Sequence, residues 1–222
     1  MTNVKIFIAC DTTSTKKIKR IISVSQKSKK INFGYKFGLE FMNSKNGRKF
    51  ISSLKNKIIF VDLKLNDTVN TMLSAVKALK DIKINYLTVH ISSGLAALKA
   101  VKKISGPTRI VGVTTLTSLN NNDLKLIGYN KSVKNLVAHQ AKLAKKANLD
   151  ALVCSPYEVS AVRKIFKKEI ITPGVQIGKK NYDQKRSMEA KKVNSDWLVI
   201  GRAITARGNI KKNIQNLAKE LG

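Results

Sequence analysis

The sequence predicts a (β/α)₈ barrel, and three observations carry that expectation. Short apolar runs alternate with amphipathic, lysine-rich stretches along the whole chain. Those runs are continuous, the pattern of strands buried on both faces in a parallel sheet. Eight strand–helix units fit within the 222 residues, and a barrel of about 200–250 residues commonly folds as one domain. An open sheet accommodates eight such units less well. We therefore expect one domain over residues 1–222, with roughly 70% of its unfolded surface buried.

The units follow in order. Val4–Cys10 reads as the first strand and Thr15–Gln26 as its helix. Asn32–Phe37 is the second strand, with a helical segment near Ser44–Leu54. Ile58–Leu63 is the third strand and Thr68–Lys80 its helix, while Tyr86–His90 and Leu95–Ile104 form the fourth pair. Arg109–Thr114 is the fifth strand, and Val133–Ala147 has clear helical spacing of apolar residues. Ala151–Cys154 and Val159–Phe166 make the sixth pair. Ile170–Ile171 is a short seventh strand followed by Gln184–Val193, and Trp197–Ile200 is the eighth, closed by Ile210–Leu221. No low-complexity segment or linker breaks this alternation, and there are 3 Pro to interrupt it.

Composition removes several function classes. Hydrophobic residues make up 43% of the chain, which excludes a disordered polymer. Apolar stretches such as Ile6–Cys10 and Ile58–Val61 fall far short of the roughly 18 residues that cross a membrane. Lys5 and Asp11 bracket the first stretch too closely for a secretory signal. Cys10 and Cys154 each end an apolar run and read as buried reduced thiols, so a cytoplasmic location is expected.

The net charge is +30, from 43 Lys+Arg against 13 Asp+Glu, and 36 of the cations are Lys. They are scattered in pairs such as Lys16-Lys17, Lys102-Lys103, Lys145-Lys146 and Lys211-Lys212. A nucleic-acid surface clusters its cations on one face, with Arg and aromatics between them. Here the charge reads as solvated surface, and no specific nucleic-acid partner is expected. A field this positive still draws anionic substrates toward the protein.

Ile58-Ile59-Phe60-Val61-Asp62-Leu63-Lys64 is an apolar strand that runs into charge. Residues two apart on a strand share a face, so Asp62 and Lys64 project together into the C-terminal mouth. Asp67 follows where the next helix starts. Buried charges are costly unless paired, which makes this segment a candidate functional network. A structural ion pair with a helix-capping Asp67 is the plainer alternative.

Other strand ends repeat the pattern, with Asp11 after the first, Lys36 ending the second, His90 ending the fourth and Thr117-Ser118 after the fifth. In a barrel such ends converge on one mouth. Asp11 also stands where it could cap the first helix. His90 is either catalytic or a hydrogen-bonded structural residue, His139 reads as a packing or surface residue, and neither has zinc-ligand spacing. Thr172-Pro173-Gly174 and Gly201-Arg202 end strands seven and eight, where barrels often bind phosphate through backbone N–H groups. Arg202 adds a bidentate grip, and Gln184 and Arg186 lie between as further donors.

At these residues the sequence resembles the orotidine 5′-phosphate decarboxylase family. The most specific segment is Asp62-Leu63-Lys64-Leu65-Asn66-Asp67-Thr68-Val69-Asn70-Thr71, similar to the family's Asp-x-Lys-x-His-Asp-Ile-Pro-Asn-Thr. Val113-Thr114-Thr115-Leu116-Thr117-Ser118, Thr172-Pro173-Gly174, Asp183-Gln184-Lys185-Arg186 and Gly201-Arg202-Ala203-Ile204-Thr205 match further family motifs in the same order. Asn66, Thr68 and Val69 replace the family's usual His, Ile and Pro, and Gln176 stands where an Arg is usual.

The resemblance implies a (β/α)₈ enzyme that converts orotidine 5′-phosphate to UMP and CO₂, without metal or organic cofactor. Asp62, Lys64 and Asp67 of the partner subunit would form the charged network, with Lys64 as proton donor. Asp11 and Lys36 would bind the ribose, Thr117 and Ser118 the pyrimidine, and Thr71 would reach the ligand across a dimer interface. Pro173, Gln176, Gln184, Gly201 and Arg202 would surround the phosphate. Three alternatives stand beside this: a Mg²⁺-dependent sugar-phosphate barrel enzyme sharing the Asp-x-Lys-x-x-Asp pattern, a nucleic-acid-binding protein suggested by charge alone, and a weakened family member suggested by Gln176.

Overall fold

Alternation along the strands sorts the apolar residues into two cores, one inside a closed barrel and one between the barrel and its helices. The computed structural model describes residues 4–28, 30–176, 188–189, 193–205 and 209–221. Eight parallel strands form the barrel: β1 (Val4–Ala9), β2 (Ile31–Gly38), β3 (Ile58–Leu65), β4 (Tyr86–His90), β5 (Arg109–Val113), β6 (Ala151–Val153), β7 (Glu169–Thr172) and β8 (Trp197–Ile200). Each pairs with its neighbour in sequence order, and β8 returns to β1 with Phe7 opposite Val199. The expected fold class holds.

Inside, Phe7 stacks on Trp197 with ring centroids 4.1 Å apart and meets Phe60 at 4.9 Å and Tyr86 at 5.2 Å. β2 gives way to these rings at Gly34, which pairs with Phe7, because a Cβ there would stand 2.5 Å from the Phe7 ring. Outside, Ile6, Ile8, Ile59, Val61, Leu87 and Val89 are buried beneath the helices. Strands apolar on both faces are the consequence, as the continuous runs required. The N-terminal end is closed by Arg109, whose Nη1 donates to Tyr86 Oη at 2.6 Å and pairs with Glu169 Oε2 at 2.9 Å.

The helices follow the expected order with small changes of boundary. Thr15–Ser25 is capped by Ser14, whose side chain accepts from the Lys17 N–H. Asp11 is therefore not the cap and is released to the barrel mouth. Val69–Ala78, Leu95–Ile104, Val133–Lys146, Val159–Ile165 and Ile210–Leu221 stand near their expected limits. The segment expected over 44–54 is Gly47–Ser53, preceded by a separate turn of helix, Leu39–Met42. Gly47 is required there, since a Cβ would lie 2.0 Å from the Phe41 carbonyl oxygen.

Two differences have physical causes. Asn121–Leu126 is helical although its six residues are too few to show a period. Its signal is a capping box, in which Asn120 accepts from the Asp123 N–H and Asp123 accepts from the Asn120 N–H. The helix expected over 184–193 is not found where residues are described: Met188–Glu189 pairs as a two-residue strand with Val175–Gln176. The remainder of that expectation, Gln184 and Arg186 included, lies outside the described residues apart from the non-helical Val193.

The aromatic layer sets a stability test. Phe7 is fully buried and touches three other rings, so Phe7→Ala is expected to cost about 3–5 kcal/mol in urea unfolding. A loss under about 1 kcal/mol would show that the barrel interior collapses around the cavity.

Candidate active site

The inward-facing strand positions climb from this aromatic layer to charge. β1 presents Phe7, Ala9 and then Asp11 beyond its end; β2 presents Lys36; β3 presents Phe60 and then Asp62. They open into a cavity of about 330 Å³ at the C-terminal mouth, with Asp11, Lys36, Asp62, Lys64 and Arg202 among its polar lining and Val113, Leu116 and Val153 among its apolar lining.

The charges alternate. Lys36 Nζ lies 3.4 Å from both Asp11 Oδ1 and Asp62 Oδ2, and Lys64 Nζ lies 2.9 Å from the same Asp62 oxygen. Asp62 and Lys36 are nearly buried, with 12% and 13% of their side chains exposed, whereas Lys64 retains 36% and can meet a ligand. Burial alone would raise the Asp62 pKa, but Lys36, Lys64 and a Thr88 hydroxyl outweigh it and hold the carboxyl below its ordinary value. Burial likewise opposes the Lys36 ammonium, and Asp62 and Asp11 overcome it, so Lys36 titrates above its ordinary value. Beside them, burial and the Asp11 charge push the Cys10 thiol up to about 12, which keeps it protonated.

Asp62 and Lys64 meet as expected, but not through a regular strand. The β3–β4 register runs Phe60 to Tyr86 and Val61 to Leu87, then jumps to Leu65 opposite Val89. Within this bulge Lys64 has φ 50°, the left-handed region that a non-glycine residue seldom occupies. Such a conformation costs on the order of 1–3 kcal/mol and persists where surrounding contacts enforce it. Here the Lys64 N–H donates to Thr88 Oγ1 at 2.7 Å.

The remaining expected residues divide into two groups. Thr117, Pro173, Gly201 and Arg202 line the cavity with Asp11, Lys36, Asp62 and Lys64. Gly174, at φ 77°, makes the turn that brings Pro173 to the wall. Ser118 is exposed and outside the lining. Asp67 and Thr71 are also exposed: Asp67 Oδ1 accepts from the Thr68 N–H at 2.7 Å, and the Thr71 and Thr68 hydroxyls are 3.1 Å apart. Thr68, not Asp67, is the N-cap of the following helix. The backbone of Gln176 is in the short ladder after β7, and Gln184 lies outside the described residues.

Sequence reasoning missed two polar supports. Gln140, buried on the helix Val133–Lys146, accepts from both the Thr115 N–H at 2.8 Å and its hydroxyl at 3.1 Å, fixing the exit of β5. Its signal was a polar residue on an otherwise apolar helix face. Thr88, fully buried in β4, joins Lys64 to Asp62. His90, two residues further along β4, shares a 2.7 Å hydrogen bond between Nδ1 and Ser92 Oγ, and Ser92 also donates to Asn66 Oδ1 at 3.4 Å.

A profile of the Orotidine 5′-phosphate decarboxylase / HUMPS family matches residues 4–217. The orotidine 5′-phosphate decarboxylase of Wolbachia pipientis subsp. Culex pipiens (strain wPip) is 40% identical over 195 residues, spanning 84% of this chain and 86% of that protein. The enzyme of the same name from Buchnera aphidicola subsp. Schizaphis graminum (strain Sg) is 37% identical over 222 residues, spanning 94% and 92%. The crystal structure of orotidine 5′-phosphate decarboxylase from Lactobacillus acidophilus superposes with a TM-score of 0.81 at 27% identity, covering 99% of both chains.

The electrostatics of this mouth can be read at His90. Burial first, and the Lys64 charge second, hold its imidazole below the ordinary 6.5. Histidine NMR should therefore find His90 titrating below 6.5, and Lys64→Ala should move it part of the way back up. An unmoved titration in that variant would place the Lys64 ammonium elsewhere.

Proposed function

The chain belongs to the orotidine 5′-phosphate decarboxylase / HUMPS family, and we propose that its barrel mouth converts orotidine 5′-monophosphate to UMP and CO₂ with Lys64 as proton donor. The observation that carries this reading is the Lys64 ammonium at the cavity, 2.9 Å from a carboxylate that Lys36 also holds. The bond from the pyrimidine C6 to the carboxylate breaks, its electron pair stays on C6, and CO₂ leaves. No adjacent carbonyl delocalises that pair, so the site must supply a cation fixed in advance where the charge develops. Lys64 provides the charge and then its proton, and solvent restores the proton after product leaves.

The other side chains position the substrate. Asp11 and Lys36 take the ribose hydroxyls, Thr117 and Ser118 the pyrimidine, and Pro173, Gln176, Gln184, Gly201 and Arg202 the phosphate. Binding energy from the phosphate, remote from C6, supports closure and alignment. Asp67 and Thr71, exposed within one chain, serve the neighbouring site of a homodimer. Among the described residues no helix is long and apolar enough to cross a membrane, which suits an enzyme acting in the cytoplasm. A Mg²⁺-dependent reaction on a sugar phosphate would need mouth carboxylates available to the metal, whereas Lys36 bridges Asp11 and Asp62.

The test is the fall in orotidine 5′-phosphate absorbance, with and without EDTA. Turnover unaffected by EDTA is expected. Lys64→Ala should lose at least three orders of magnitude, about 4 kcal/mol of transition-state stabilisation, and still bind UMP. Mixing Lys64→Ala with Asp67→Ala chains should restore part of the activity, because hybrid dimers carry one intact site. Retention of more than a tenth of the wild-type rate in Lys64→Ala rejects the proton-donor role, and no recovery despite proven subunit exchange rejects the shared site.

A further inference from the structure

We propose that Thr88 is a positioning residue for this reaction, its hydroxyl fixing the Lys64 backbone and the Asp62 carboxylate in one geometry. The inference deepens the preceding reading and rests on Lys64 as the proton donor. Tyr86 belongs to the aromatic layer inside the barrel, while Leu87 and Val89 point outward to the helices. Thr88, between them, therefore faces inward, one layer above the aromatic rings and level with Asp62. It is wholly buried.

The hydrogen-bond geometry leaves its hydroxyl one orientation. The Lys64 N–H, 2.7 Å away, can only donate, so Thr88 Oγ1 accepts there. The hydroxyl proton is then directed to Asp62 Oδ1 at 3.0 Å. Asp62 Oδ2 receives Lys64 Nζ at 2.9 Å and Lys36 at 3.4 Å. Thr88 thus occupies one oxygen of the carboxylate and leaves the other to the two ammonium groups. It also replaces a ladder bond: Thr88 stands between Leu87 and Val89, opposite the bulged residues Asp62–Lys64 that the register skips. Without the hydroxyl the part-buried Lys64 N–H loses its acceptor, and the residue loses a contact that holds its positive φ. The ammonium would then sample several positions around Asp62 when the transition state requires one.

This assigns a function to a hydroxyl that touches no substrate, and a pair of substitutions separates it from simple packing. Thr88→Val keeps the shape and removes the hydroxyl; Thr88→Ser keeps the hydroxyl. In the decarboxylation assay Thr88→Val should lower kcat by about ten- to a hundredfold, the loss expected for a hydrogen bond to a charged group. KM and UMP affinity should change by less than about threefold, since the phosphate and ribose contacts remain, and Thr88→Ser should stay within about threefold of wild type. The acid limb of kcat/KM should rise in Thr88→Val and not in Thr88→Ser, because Asp62 loses a donor to its ionised form. If Thr88→Val does not fold, Thr88→Ala carries the same comparison with Thr88→Ser. A wild-type chain that does not turn over orotidine 5′-phosphate overturns the reading of the site and this proposal with it. An active wild type whose Thr88→Val or Thr88→Ala variant keeps kcat within twofold, or whose Thr88→Ser variant loses as much as they do, overturns the proposal alone.

Discussion

The mouth of the barrel depends on one buried carboxylate. Asp62 is the point where two ammonium groups, Lys36 and Lys64, are brought within 3.4 Å of a single oxygen. Two lysines this close repel each other unless an anion stands between them, and the anion is costly to bury unless cations surround it. Each charge is thus a condition for the others. The arrangement adds little to stability compared with an apolar core of similar volume; what it supplies is a cation held in place before substrate arrives. Reorganisation at the moment of reaction is thereby avoided.

The scaffold absorbs the cost of that arrangement. Below the charges lies the ring layer of Phe7, Phe60, Tyr86 and Trp197, and around them the outer core beneath the helices. β3 bulges beyond Val61 and rejoins β4 at Leu65, with Leu63 and Leu65 still packed on the outer core, and within the bulge Lys64 takes a backbone conformation that its residue type disfavours. Strain of this kind is sustained where neighbouring contacts over-determine it, and β4 supplies such a contact through a side chain where the backbone ladder fails.

Much of this was legible in the sequence, for identifiable reasons. Continuous apolar runs such as Ile6–Cys10 fixed the class of sheet, because only strands covered on both faces are written that way. The pairing of Asp62 with Lys64 followed from a period of two, although the strand that joins them is bulged and the agreement comes through a different backbone path. Thr88 stayed hidden inside the run Tyr86–His90, where one threonine among apolar residues is indistinguishable from a packed strand residue. The helix at Asn121–Leu126 was hidden by its length, and Ser14 outcompeted Asp11 as a cap because Asp11 has a cation to meet. Asp67 stood out as a charge following the strand end, whereas Thr71 and a place for both residues in a neighbouring subunit's site were implied by resemblance alone; within one chain they make local hydrogen bonds.

The linkage between Asp62 and its cations gives the account its most direct measurement. A carboxylate whose folded pKa is depressed stabilises the fold above its unfolded value and loses that contribution as pH falls through the folded one. The Asp62 side-chain carboxyl carbon, labelled with ¹³C and followed by NMR as the protein is acidified, reports its ionisation. The account predicts that Asp62 is more than half ionised at pH 3.8, where an ordinary aspartate is half protonated. A signal half-titrated at that pH or above would contradict it, because a protonated Asp62 cannot hold Lys36 and Lys64 together.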